Sequence, residues 1–137
     1  MNDGREDAVA TVRNIVRALA RLALPAEVQI ELLEKAHLPS DELALDFEWS
    51  ISTLWQAREI GLIDQRIEEE LMGIDRRLGS IGGPEHAELW EDAALRAHPV
   101  WENVRTRARE VLGKIHSATG ISPPSEDVFR AGEFDLH

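Results

Sequence analysis

The densest apolar pattern in the chain lies in residues 40–78, where hydrophobic side chains recur every three or four positions. Such spacing places them on one face of a helix. Ser40 is a favourable N-cap, and Gly61 is a helix stop between two such faces. The pattern predicts a helical hairpin against which the other helices pack. The two stripes are Leu43, Phe47, Ile51 and Leu54, followed by Ile63, Ile67, Leu71, Ile74 and Leu78.

Helical periodicity also marks the segments on either side of the hairpin. An acidic capping signal at residues 3–6 precedes a first helix, and Pro25 occupies the favoured first turn of a second. Residues 85–97 predict a short helix, and Pro99 begins a last long helix that Gly120 ends. Strand-like alternation is absent from the sequence.

These elements predict an all-α fold: an antiparallel bundle of four main helices plus a short helix, with an extended C-terminal arm. Residues 1–119 are expected to form a single helical bundle domain, which is long enough to bury a core without disulfides. Residues 120–137 are expected to form an extended or disordered C-terminal tail, because prolines and glycine interrupt them.

The predicted tail nevertheless carries hydrophobic side chains, which are unusual for a purely solvated end. We interpret Phe129, Phe134 and Leu136 as docking residues. Two arrangements remain open. The tail either folds back over its own domain or docks on another chain, and the second arrangement would make the protein a homodimer.

Charge is the one skewed property of the composition. The chain has 26 acidic and 15 basic residues, for a net charge of −11. That charge argues against nucleic acid and anionic membranes as partners and permits a basic protein partner. The sequence lacks cysteine, a secretory signal pattern and an apolar run of the roughly 20 residues that cross a bilayer. We therefore expect a cytoplasmic protein, and its preference for arginine over lysine is typical of GC-rich bacterial genes.

Motifs for catalysis, metal or cofactor binding are weak. Glu34 and His37 have the spacing of a di-iron ligand pair, but the second such pair that a di-iron bundle needs is missing. The glycine-rich residues 79–84 lack the lysine of a phosphate-binding loop, so they are interpreted as a hinge. The sequence contains no Gly-x-Ser-x-Gly elbow. We predict no cofactor and no metal, and whether the protein is an enzyme stays open, with the balance against it.

Acidic residues and tryptophans together suggest an interaction surface, because aromatic anchors rimmed by charge are common in protein interfaces. The leading hypothesis is a non-enzymatic, self-associating interaction or regulatory protein. One form of it is an inhibitor or immunity-type protein that covers a basic site. The predicted surface residues are Asp46, Trp49, Trp55, Glu68, Glu69 and Glu70.

The alternative hypothesis is a helical domain or enzyme that binds a small molecule in a pocket between helices. Its predicted lining consists of the four tryptophans, Trp49, Trp55, Trp90 and Trp101.

Overall fold

The structure is a computed structural model that describes residues 3–131, and this part of the chain is all-α, without strands. A 3₁₀ segment, Pro84–Trp90, lies between the fifth and sixth α-helices. Within residues 3–131, no helix is both long and apolar enough to cross a membrane. The α-helices are α1 (Asp3–Ala23), α2 (Ala26–Ala36), α3 (Glu42–Ile51), α4 (Leu54–Glu59), α5 (Gln65–Ser80), α6 (Asp92–Ala97), α7 (Pro99–Thr119) and α8 (Glu126–Ala131).

Helix α1 is the centre of the core, because it packs against α7, α3 and α4. A helix with neighbours on several sides must be apolar over more than one stripe. Helix α1 has small and branched apolar side chains on adjoining faces. Its buried apolar residues are Ala8, Val12, Ile15, Val16, Ala18, Leu19, Ala20 and Leu22.

Helix α5 follows its sequence pattern closely. Gly61, at φ 80°, adopts the left-handed backbone that lets the chain turn between α4 and α5. Asp64 caps α5, since its Oδ1 accepts a hydrogen bond from the Ile67 amide at 2.9 Å. The predicted stripe is confirmed, because Ile67, Leu71, Ile74 and Leu78 are all buried.

The single helix expected before Gly61 is instead two helices, α3 and α4, separated at Ser52 and Thr53. Hydroxyl side chains explain the break, because they compete with the helical ladder. The Ser52 hydroxyl donates to the Trp49 carbonyl at 2.7 Å. The Thr53 hydroxyl lies 2.9 Å from that of Thr11 on α1, and Thr53 has non-helical angles.

Buried polar side chains connect the helices around α1. Arg21 of α1 pairs with Asp46 of α3 at 2.5 Å, and both side chains are almost fully buried. Gln29 of α2 donates to the Arg21 carbonyl at 2.9 Å and accepts from Arg105 of α7 at 3.1 Å. Arg105 also donates to the Leu95 carbonyl of α6. These bonds fix the mutual positions of five helices, since a buried polar group without partners is costly.

Part of the predicted extended tail is helical, which corrects that expectation for residues 126–131. Phe129 of α8 is buried, and the Arg21 guanidinium lies 5.7 Å from the centre of its ring. Lys35 of α2 donates to the Arg130 carbonyl at 3.1 Å. Burial of one aromatic side chain holds this short helix against its own domain. The other two predicted docking residues, Phe134 and Leu136, lie outside the described residues.

Candidate functional site

A groove of about 680 Å³ lies where the first turns of α3, the last turns of α5 and the 3₁₀ segment meet. Ligand sites of proteins are commonly concave, largely apolar and of this size. The groove is lined by Pro39, Ser40, Asp41, Ala44, Leu45, Glu48, Asp75, Leu78, Gly79, Gly82, Gly83, Ala87, Trp90 and Glu91.

Small residues create the depth of the groove. Ala44 lies on the α3 side, and Gly79 and Gly82 lie on the α5 side. A Cβ atom placed on Gly79 would have no neighbour within 4 Å, so the space beside it is open. Leu45 is 49% exposed and presents an apolar wall to this space. Leu45 thus adds exposed apolar surface to the lining that a ligand could cover.

Trp90 forms the end of the groove, and its ring is firmly held. Its indole Nε1 donates to the Ile81 carbonyl at 2.8 Å. Its ring meets the buried Trp101 ring edge-on, with 5.2 Å between the centroids. The Ser40 hydroxyl donates to the Trp90 carbonyl and ties the start of α3 to the 3₁₀ segment. The groove therefore has a preorganised aromatic end, which lowers the entropy cost of binding there.

Four carboxylates belong to the lining together with its apolar residues, namely Asp41, Glu48, Asp75 and Glu91. Within residues 3–131, none of the four forms an ion pair with a basic side chain of the chain. Clefts lined by charge of one sign focus the electrostatic potential and attract ligands of opposite charge. The arrangement is therefore suited to an apolar ligand that carries positive charge.

The ionisable side chains of the described groove lining are the four carboxylates. The described lining contains no histidine, and its one hydroxyl side chain, Ser40, is already bonded to the Trp90 carbonyl. Elsewhere in residues 3–131, no group of three or more potential metal ligands comes together.

Asp46 does not belong to an interaction surface, which corrects the sequence prediction. It lies on the inner face of α3, where it is 4% exposed and paired with Arg21. Its sequence neighbours suggested an exposed acidic stretch. The long-range partner on α1 explains why a charged side chain is buried here, since buried charges require pairing.

The other predicted surface residues are exposed or partly exposed but do not form one cluster. Trp49 and Trp55 are each about half exposed, on α3 and α4. Glu68 pairs with Arg58 of α4 at 3.5 Å, and Glu70 pairs with Lys114 of α7 at 2.6 Å. These two glutamates therefore point to different neighbours of α5. Glu69 is exposed and accepts a hydrogen bond from Gln65 at 3.3 Å.

The four tryptophans lie in different surroundings within residues 3–131. Trp101 is fully buried in the core, and its Nε1 donates to the Leu89 carbonyl at 2.7 Å. Trp90 is part of the described groove lining, whereas Trp49 and Trp55 are not. The pocket expected from the sequence is replaced by a groove with one tryptophan at its end.

Sequence reasoning missed most of this site. Asp41 and Glu48 belong to the acidic residues that the sequence assigns to a surface, and their spacing with Leu45 places all three on one side of a helix. Leu78 was read only as a core position, and residues 79–84 only as a hinge. The pattern of hydrophobic and polar residues does not show that α3, the end of α5 and the 3₁₀ segment contact one another.

Comparison with known proteins gives no match to any family model, to any curated protein or to any solved structure.

Proposed function

We propose that the protein is a non-enzymatic interaction protein that captures a basic segment of a partner protein in its acidic groove. One observation carries this proposal: the lining of an open, largely apolar concavity contains Leu45, Trp90 and four carboxylates that form no ion pair with a basic side chain in residues 3–131. A bundle of antiparallel helices is the scaffold that we propose for presenting it.

The groove has the two properties that partner capture requires. Anchors such as Trp90 and Leu45 provide apolar area to bury, which is the main source of affinity in protein interfaces. The rim carboxylates select against acidic ligands and speed encounter with basic ones. The net charge of −11 extends that attraction over the whole molecule. An inhibitor or immunity-type protein that covers a basic site would work in this way.

A second candidate function is binding of a small amphiphilic cation. The groove volume of about 680 Å³ lies within the range of drug-sized ligand sites, and Trp90 offers a face for a cationic group. This candidate keeps the small-molecule hypothesis and moves its site from a pocket of four tryptophans to the groove. Competition between a small aliphatic amine and a basic peptide would show which ligand the groove prefers.

Self-association also remains a proposal. Phe129 packs within its own chain, so a homodimer would need a surface other than this contact. Light scattering coupled to size exclusion on the full chain measures the mass directly. A monomer at all concentrations would contradict self-association without affecting the groove.

Charge reversal at the groove tests the capture proposal. The probe is a fluorescein-labelled synthetic peptide of about 14 residues built from leucine, alanine, lysine and arginine, followed by fluorescence anisotropy. The variant is Glu48→Lys with Asp75→Lys. The matched control is Glu59→Lys with Glu69→Lys, which changes the net charge equally at exposed positions outside the groove lining.

We expect the groove variant to lose at least about tenfold in affinity, because two attractions become repulsions at the contact. The control should lose only the weaker long-range attraction that salt screens. Equal losses in both variants would mean that net charge alone binds the peptide. That result, or no binding by the unaltered protein, would overturn the proposal.

A further inference from the structure

The groove is aligned with two helices, and this alignment indicates what shape of segment it accepts. Along α3, starting at its N-cap Asp41, the lining residues recur at the i, i+3, i+4 and i+7 positions, and along α5 they recur at the i, i+3 and i+4 positions, with Gly82 just past the end of α5. The α3 strip is about 10 Å long and the helical part of the α5 strip is about 6 Å long, since a helix rises 1.5 Å per residue. The strips consist of Asp41, Ala44, Leu45 and Glu48 on the α3 side, and of Asp75, Leu78, Gly79 and Gly82 on the α5 side.

The floor between the strips suits the close approach of a third helix. Ala44, Gly79 and Gly82 project little or no side chain into the space. Helices pack with axes 8–10 Å apart, and small residues at the contact permit the shorter distances. The open space beside Gly79 shows that a side chain from outside could enter without displacing this chain.

The charges mark where the cationic positions of such a helix would lie. Asp41 and Glu48 are seven residues apart, so they stand two turns apart along the α3 side. Asp75 stands at the start of the α5 strip, and Glu91 lies beyond Trp90 at the end of the 3₁₀ segment. A helix with lysine or arginine on both flanks of an apolar stripe could meet these carboxylates while its stripe covers Leu45 and Trp90.

Taking these points together, we propose that the occupant of the groove is an amphipathic basic α-helix of two to three turns that lies along α3 and α5. Its apolar residues follow i, i+3, i+4 and i+7 spacing, and its flanks are basic. This inference rests on the proposed function, because it names the partner class of the same groove.

Two peptides of identical composition separate this inference from the proposed function. The stripe peptide places its leucines at i, i+3, i+4 and i+7, and the permuted peptide distributes the same leucines around all sides of a helix. Both carry the same lysines and arginines, and both are followed by fluorescence anisotropy and by circular dichroism. We expect the stripe peptide to bind at least about tenfold more tightly and to gain helical signal on binding.

A volume variant supplies an independent readout. Gly79→Leu should fill the groove and weaken the stripe peptide by about tenfold or more, since the added side chain enters the open space. Gly113→Leu is the matched control. Gly113 is also a helical, exposed glycine whose added Cβ meets nothing within 4 Å, and it lies outside the groove. The control should bind as the unaltered protein does.

The outcomes are distinguishable. If the permuted peptide binds as tightly as the stripe peptide, and Glu48→Lys with Asp75→Lys abolishes both, the helix inference is wrong and capture of basic segments stands. If Gly79→Leu leaves the stripe peptide unaffected, the helix does not lie on this floor, and the inference is again wrong. If neither peptide binds, both proposals are wrong.

Discussion

Asp46 and Glu48 are two residues apart on α3, but they face opposite environments. Asp46 points into the core and pairs with Arg21 of α1, together with the buried neighbours Leu43 and Phe47. Glu48 points outward to the groove beside the exposed Leu45, and it forms no ion pair within residues 3–131. One carboxylate completes the fold, and the other is available to a ligand.

Helix α5 shows the same division along its length. Glu68 and Glu70, in its first half, pair with Arg58 and Lys114 of neighbouring helices. Asp75, in its second half, lines the groove and forms no ion pair with the basic side chains of the described residues, 3–131. The number of acidic residues therefore says little about function. The presence or absence of an internal cation separates structural carboxylates from those that can bind a partner.

The largest effect that this comparison predicts is on stability at the inner face of α3. Asp46→Ala should lower the free energy of unfolding by about 3–5 kcal/mol, because it removes the partner of a buried arginine. Glu48→Ala should change it by less than about 0.5 kcal/mol, as exposed substitutions usually do. Urea unfolding followed by circular dichroism measures both. Similar losses for the two variants would contradict the division between the faces.

A smaller loss of stability is expected where α8 covers the Arg21 side chain. Phe129→Ala should lower the free energy of unfolding by about 1–3 kcal/mol, which is the contribution of burying one large apolar side chain. Peptide capture should be unchanged, because Phe129 is not part of the groove lining. Unfolding and anisotropy measurements on the same variant test both statements. Weaker peptide capture by a folded Phe129→Ala protein would show that the packing of α8 affects the groove.

The sequence predicted the all-α fold class and the buried face of α5. Both follow from the spacing of hydrophobic residues along one helix, without knowledge of its neighbours. Ile67, Leu71 and Ile74 are buried as their spacing indicated. Asp46 was misplaced because its partner lies 25 residues upstream on another helix. Periodicity assigns faces to helices, but it does not say which helices meet.

The groove shows the same limit at the level of a site. Its walls come from three separate parts of the chain, residues 39–48, 75–83 and 87–91. In the sequence the last two parts read as a core stripe, a hinge and a short helix. Only their contact in space, through bonds such as that from Ser40 to the Trp90 carbonyl, turns them into a concave surface.

The dependence of peptide capture on salt is expected to be a smaller effect. Raising the ionic strength from about 0.05 to about 0.5 M should weaken peptide capture several-fold, since the groove carboxylates are exposed to screening. Anisotropy titrations at several salt concentrations measure this dependence. The Glu48→Lys, Asp75→Lys variant should show less of it. Capture that is independent of salt would mean that the apolar lining acts alone.

The smallest expected effect belongs to the ion pair between Glu70 and Lys114. Glu70→Gln should lower the free energy of unfolding by less than about 1 kcal/mol, because Lys114 is 47% exposed and water screens the pair. A double-mutant cycle with Lys114→Met isolates the pairwise contribution in urea unfolding. A coupling energy of about 3 kcal/mol or more would contradict this expectation, since it would mean that water does not screen this partly exposed pair.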